Sequence, residues 1–188
     1  METEHTTPQI STSAIEGLGR QLLVLLGEDP EREGLVGTPA RWASFWQEFI
    51  EYDPGKTETA FEAIETDQMV AVTGIRAWSL CEHHLLPFWC DLSIGYITRS
   101  KVLGLSKFAR IAHQFAHKLQ IQERLVQQIA DEVSRLTDSE DVAVLAKGWH
   151  TCMIMRGIKT DGSMVTSMMR GAFMDNPEAR AEFLRLIT

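Results

Sequence analysis

The chain has 188 residues, 44% hydrophobic and 23% charged, the make-up of one globular domain with enough core to need no disulfide staples. Eighteen Lys and Arg against 26 Asp and Glu give a formal net charge of −8. That excludes a general nucleic-acid surface, though a few local cations could still meet a phosphorylated small molecule. The longest apolar run, Leu22–Leu26, is too short to span a membrane, and the N-terminus lacks the pattern of a signal peptide. Three cysteines, an odd number, fit a reducing compartment, so the expected location is cytoplasmic.

Residues 1–12 read as a disordered tail. Ser13 precedes Ile15, Leu18, Leu22, Leu23 and Leu26 at helical spacing, and Gly27 is a natural stop. Thr38-Pro39 reads as an N-cap with proline in the first turn. The helix that follows carries Trp42, Phe45, Trp46 and Phe49 on one side. The polar stretch Asp53–Lys56 ends this helical lead, and the expected division is a helical arm over 13–60 and a catalytic domain over 61–188. From Met69 the period changes, and Met69–Trp78 and Trp89–Thr98 read as strands. Leu105–Leu136 reads as helix, with a break at Gln120–Glu123. Val142–Lys147, His150–Arg156 and Met164–Phe173 are further strands, and Asn176-Pro177 opens a last helix. The predicted class is α+β, a mainly antiparallel sheet with a helical hairpin between its strand pairs.

Histidines and cysteines cluster in this chain. Cys81, His83 and His84 lie within four positions, and His150 and Cys152 are two apart. On a strand, period-2 geometry puts His150, Cys152, Ile154 and Arg156 on one face. If Cys81 and His84 approach that face, Cys81, His84 and Cys152 form a set suited to zinc. Three ligands leave a position open, as catalytic zinc requires, and leave His83 and His150 free for proton transfer. Taken singly, each of these residues would read as a packed core side chain; the grouping favours a site. Cys90 alternates with Leu92, Ile94 and Tyr96 and reads as a buried small hydrophobe. His113 and His117, at i and i+4, read as a helix face because no third ligand is near in sequence.

Gly104-Leu105-Ser106-Lys107 with Arg110 is a workable phosphate cradle at a helix start, and Arg156 adds a cation. Gln122 and Glu123 form a polar pair at the helix break, where a carboxylate could accept from a guanine-type N–H edge. A zinc base deaminase is set aside, since those carry Pro-Cys-x-x-Cys and no Cys-x-x-Cys exists here.

These motifs closely resemble those of the GTP cyclohydrolase I family over roughly residue 14 to the end. The resemblance rests on Gly27-Glu28-Asp29-Pro30, Arg32-Glu33-Gly34-Leu35, Thr38-Pro39, Cys81–Phe88, Gly104–Lys107, Leu119–Leu125, and His150–Met153 through Arg156-Gly157. It implies a zinc-dependent conversion of GTP and water to 7,8-dihydroneopterin triphosphate and formate, the first step of pterin and tetrahydrofolate biosynthesis. It implies one Zn2+ per subunit on Cys81, His84 and Cys152, and acid–base roles for His83 and His150. Ser106, Gln122 and Glu123 would hold ribose and guanine, with Ser106 also handling protons; Lys107, Arg110 and Arg156 would meet the triphosphate. The implied fold is the tunnelling fold, an antiparallel sheet with two helices packed on one side, preceded by an N-terminal helical arm. The implied assembly is a toroidal homodecamer with shared active sites. The chain departs from the family pattern at Thr160 beside Lys159, at Cys90, at Ile97-Thr98, and in a Ser163–Gly171 segment one residue short.

Overall fold

The computed structural model describes residues 10–63 and 67–188; His5 and most of the expected tail lie outside the described residues. Contacts divide the chain into two compact units, one ending at Asp53 and the other beginning at Pro54.

In the first unit, α1 (Thr12–Leu25) and α2 (Thr38–Ile50) pack on each other as a hairpin. The α1 cap lies earlier than expected: the Ser11 hydroxyl accepts from the Ala14 N–H at 3.4 Å. The stop is where the sequence puts it, with Gly27 at φ +83° and its N–H donating to the Val24 carbonyl. Thr38 is the first residue of α2, with Gly37 in the cap position and no side-chain cap; Pro39 keeps its first-turn place. The helices come close at Gly19, where a Cβ would stand 2.9 Å from the Trp42 ring. Trp42, Phe45, Trp46 and Phe49 run along α2 with neighbouring ring centroids at 5.6 to 6.0 Å.

The second unit is mixed α and β. A short ribbon pairs β1 (Ala60–Glu62) with β4 (Lys101–Leu103). The main sheet has five strands in the order β5-β2-β3-β6-β7. Of these, β2 (Met69–Cys81), β3 (Pro87–Ile97), β6 (Val142–His150) and β7 (Met164–Met169) are antiparallel neighbours. On one face lie α3 (Leu105–Ala116) and α4 (Gln122–Thr137). The alternation read from the sequence is realised on β3, where Phe88, Cys90, Leu92, Ile94 and Tyr96 are fully buried in one core. That core takes Phe108 and Ile111 from α3 and Leu125, Ile129 and Val133 from α4. Each such side chain contributes about 1.5–3 kcal/mol of burial. Behind the sheet, α7 (Pro177–Leu186) brings Phe183 against Phe173 and Ala143. Gly95 makes room for it, since a Cβ there would meet the Phe183 ring at 2.7 Å. Asn176 caps α7 as expected, its Oδ1 accepting from Glu178 N–H at 2.9 Å.

Three expectations change. The break expected in the Leu105–Leu136 helix is present but comes earlier than Gln120–Glu123, after Ala116; it holds a two-residue strand, β5 (Leu119–Gln120), which joins β2 in parallel, and α4 already begins at Gln122. The strand expected over His150–Arg156 does not form. The β3–β6 ladder ends at the Phe88–His150 pair, next to Pro87, which has no N–H to continue it. The chain turns instead into α5 (Thr151–Ile154), with Thr151 Oγ1 donating to the Pro87 carbonyl at 2.5 Å. The strand expected over Met164–Phe173 stops at Met169. Gly171, at φ +51°, sits where a Cβ would overlap the Asp141 carboxylate, and α6 (Ala172–Asp175) follows.

Candidate active site

Cys81 is the last residue of β2, and the next five residues fold back on it. Its N–H donates to the Leu86 carbonyl at 2.9 Å, and its carbonyl accepts from Leu85 at 2.8 Å and His84 at 3.3 Å. Leu85 takes the left-handed conformation, φ +55°, that closes this turn. The turn sets His84 Nδ1 at 4.0 Å and His83 Nδ1 at 3.9 Å from Cys81 Sγ. From the other side, α5 delivers Cys152 Sγ to 3.9 Å from Cys81 Sγ. The short helix thus replaces the expected strand face and still brings Cys152 to Cys81.

The ligand atoms of Cys81, His84 and Cys152 all lie within 4.8 Å of one another. Two thiolates on one tetrahedral zinc, at the usual length of about 2.3 Å, stand roughly 3.8 Å apart, so the donor set fits the ion. Cys81 is buried, Cys152 half-buried and His84 exposed, which leaves one side open. Without a metal, burial and then the neighbouring Cys81 push the Cys152 thiol up. Arg156 places its guanidinium against the His84 ring.

His150 ends β6 and stacks on its cross-strand partner Phe88, ring centroids 4.5 Å apart and planes 11° from parallel. Its Nε2 meets Gln122 Oε1 at 2.8 Å. Burial lowers its pKa, and the Glu123 carboxylate pulls the other way. Gln122 itself is 1% exposed. Its Nε2 donates to the Ala146 carbonyl at 3.1 Å, the Met164 carbonyl at 3.0 Å and Thr166 Oγ1 at 3.0 Å. Glu123, one residue on, is exposed in the first turn of α4. Arg124 then grips Glu82 with two hydrogen bonds, 2.8 and 3.1 Å, tying the Cys81–His84 turn to the start of α4.

The cradle residues lie elsewhere. Ser106 is the second residue of α3, with Gly104 in the cap position. Lys107 Nζ donates to the Lys56 carbonyl at 2.7 Å, and Arg110 donates to the Pro54 carbonyl. One turn inside, Phe108 packs on Tyr96 at 6.0 Å between ring centroids. Tyr96 and Phe88 are at opposite ends of β3, roughly 26 Å apart at strand spacing. The far end of α3 is the one near Cys81, where the Ala116 carbonyl accepts from Ser79 at 2.7 Å. A single chain therefore brings together Cys81, His83, His84, His150, Cys152, Arg156, Gln122 and Glu123, and holds Ser106, Lys107 and Arg110 apart from them, in the first half of α3.

A profile of the GTP cyclohydrolase I family matches residues 15–188. The chain belongs to the GTP cyclohydrolase I family. Among curated relatives, the GTP cyclohydrolase 1 of Hyperthermus butylicus is 45% identical over 179 residues, covering 95% of this chain and 92% of its own. The GTP cyclohydrolase 1 1 of Pseudomonas aeruginosa is 49% identical over 174 residues, covering 89% and 93%. An apo archaeosine synthase QueF-Like aligns with a TM-score of 0.42 and 18% identity over 55% of this chain and 95% of its own, too remote a likeness to carry an argument.

Of the departures from the GTP cyclohydrolase I pattern, Cys90 is fully buried on β3, and desolvation raises its thiol to about 12. Thr160 and Lys159 lie in an exposed stretch after α5, Lys159 at φ +52°. Sequence reasoning missed the Glu82–Arg124 clamp and the Phe88 platform. Their signals were present: a carboxylate inside the Cys81–His84 run, an arginine next to Glu123, and a phenylalanine one residue past Pro87. Among the described residues, no helix is long and apolar enough to cross a membrane.

Proposed function

We propose that the chain hydrolyses and rearranges GTP to 7,8-dihydroneopterin triphosphate with release of formate, as a cytoplasmic enzyme opening tetrahydrofolate biosynthesis. The observation that carries this reading is the convergence of Cys81, His84 and Cys152 beside the imidazole rings of His83 and His150 in a chain of this family. Zn2+ on those three residues would supply the Lewis acidity that makes water a nucleophile at neutral pH.

The side chains then have distinct work. Glu123, exposed at the start of α4, accepts from the N–H edge of guanine, and Gln122 belongs to the same end of the substrate. His150 gives a proton to the imidazole-ring nitrogen beside C8, which makes that carbon electrophilic toward water. Ring opening yields a formamide, and a second hydrolysis releases formate. Ribose opening and reclosure onto the amines draw on His83 and Ser106 for proton transfer.

Arg156, Lys107 and Arg110 neutralise the triphosphate. Because Ser106, Lys107 and Arg110 lie in the first half of α3, away from the last turn that reaches Ser79 beside Cys81, they serve a second copy's site. That supports a homo-oligomer with shared active sites, a toroidal decamer in this reading. It goes with the tunnelling fold over 61–188 and the helical arm over 13–60.

The test is formate release from GTP labelled at C8, with and without a chelator. Formate that vanishes on chelation and returns with zinc is expected, and zinc-bound His150→Ala protein should turn over no GTP. Zinc-loaded, folded wild type that releases no formate would end this reading.

A further inference from the structure

A carboxamide looks the same from either end at the level of shape, but its surroundings distinguish oxygen from nitrogen. One end of the Gln122 amide faces two backbone carbonyls, Ala146 and Met164, which can only accept. That end must be the NH2 group, so the oxygen faces His150 Nε2 at 2.8 Å. Nε2 must then be the donor. The room for this oxygen comes from Gly148, across the ladder from Cys90; a Cβ at that position would overlap Gln122 Oε1. Thr166 Oγ1 also lies 3.0 Å from the nitrogen and shares its two hydrogens with the carbonyls, and Phe88 fixes the plane of the imidazole.

We propose that Gln122 is a positioning residue that locks His150 in its Nε2–H tautomer, so that every proton His150 exchanges with substrate passes through Nδ1. This rests on the acid–base role proposed above for His150. In neutral His150 the proton stays on Nε2, held by Gln122, and Nδ1 carries the lone pair. In protonated His150 the second proton sits on Nδ1, and giving it to the substrate nitrogen returns the ring to the same tautomer. Proton and charge balance with no side chain other than His150. Gln122 thus serves the base end of the substrate through His150 rather than by touching guanine: its side chain is buried, and its oxygen and NH2 group are already engaged by protein partners.

The direct test is the 15N spectrum of histidine-labelled, metal-replete full chain at neutral to mildly alkaline pH, with the His150 signals identified by their absence in His150→Asn. The expected pattern is a protonated Nε2 and a bare Nδ1. In Gln122→Met, which keeps the volume and loses the acceptor, both tautomers should appear. There kcat should fall about 100-fold with KM for GTP little changed, since a general acid–base group in the wrong tautomer loses most of its contribution. Gly148→Ala keeps every polar group and displaces the Gln122 oxygen, so it should move kcat in the same direction. A wild-type proton on Nδ1 would overturn the proposal even if neither variant folds. So would a kcat within twofold of wild type in both variants. Full turnover in His150→Asn would instead remove the acid–base role itself, and with it any purpose for the lock; an intact Nε2–H signal in wild type would mark that failure as distinct.

Discussion

The two ends of the sheet are built from the same strands and do opposite things with their polar groups. At the Met69–Tyr96 end, polar groups are satisfied within the chain. The Tyr96 hydroxyl accepts from the Leu103 N–H at 3.1 Å, Ser139 donates to the Ile97 carbonyl at 2.7 Å, and Asp141 takes the Ala172 N–H at 2.7 Å. At the Cys81–Phe88 end, two thiols and two exposed imidazole rings converge around a side open to solvent. Buried polar groups cost free energy unless they are paired, so the first end is where the chain invests in stability. The second leaves its soft donors for a ligand. The α3 cations complicate the contrast in an informative way: Lys107 and Arg110 are away from the cysteines, donating to the backbone carbonyls of Lys56 and Pro54.

The largest expected effect sharpens this division. On the proposed roles, His150→Ala and the double variant Lys107→Ala/Arg110→Ala should each be inactive, one for the loss of the proposed proton donor and the other for the loss of the proposed triphosphate contacts. Unfolded and refolded together in equal amounts, they should recover about a quarter of wild-type turnover, the fraction of shared sites that draw an intact half from each copy. Assays of formate release after co-refolding would decide it; no recovery would mean that the two halves must come from one chain.

Next in size is Phe183→Ala, which empties the pocket behind Gly95 at the stable end. Loss of a fully buried phenylalanine costs about 3–5 kcal/mol. Chemical denaturation should register that loss while kcat per folded protein stays near wild type. A fall in kcat as large as that of a Cys81–Phe88-end variant would show that the two ends are not separable.

The smallest effect concerns Cys90, between the ends. Its thiol is raised from 9.0 to about 12 by burial, with the Asp91 carboxylate adding to it. In the native chain it should resist alkylation at pH 8, where metal-free Cys152 on the open side reacts. The sign of the linkage follows: between pH 9 and 12 the unfolded chain releases the Cys90 proton and the folded chain keeps it. The contribution of this group to stability is whole below pH 9 and is lost as pH rises toward 12. Rapid labelling of native Cys90 at pH 8, followed by mass spectrometry, would contradict its burial.

Residue spacing alone settled much of this protein. The helical periods of α1 to α4, the alternation along β3, the Gly27 stop and the Asn176-Pro177 start depend on local chemistry, and local chemistry is written along the chain. The Cys81, His84 and Cys152 group, which could hold a metal, was legible because Cys81 and His84 are three apart and turn on themselves, while Cys152 belongs to a recognisable His-x-Cys. Other features depended on which strand ends where. A proline at position 87 cut the β3–β6 ladder and turned a predicted strand into α5; a two-residue strand joined β2 in parallel and set Gln122 beneath His150. The donor assignment at Gln122 needs two carbonyls from β6 and β7, and the distance of Lys107 from Cys81 needs the direction of α3. These are properties of pairing and packing between segments far apart in sequence, where a hydrogen bond's partner is chosen by geometry rather than by neighbouring residues.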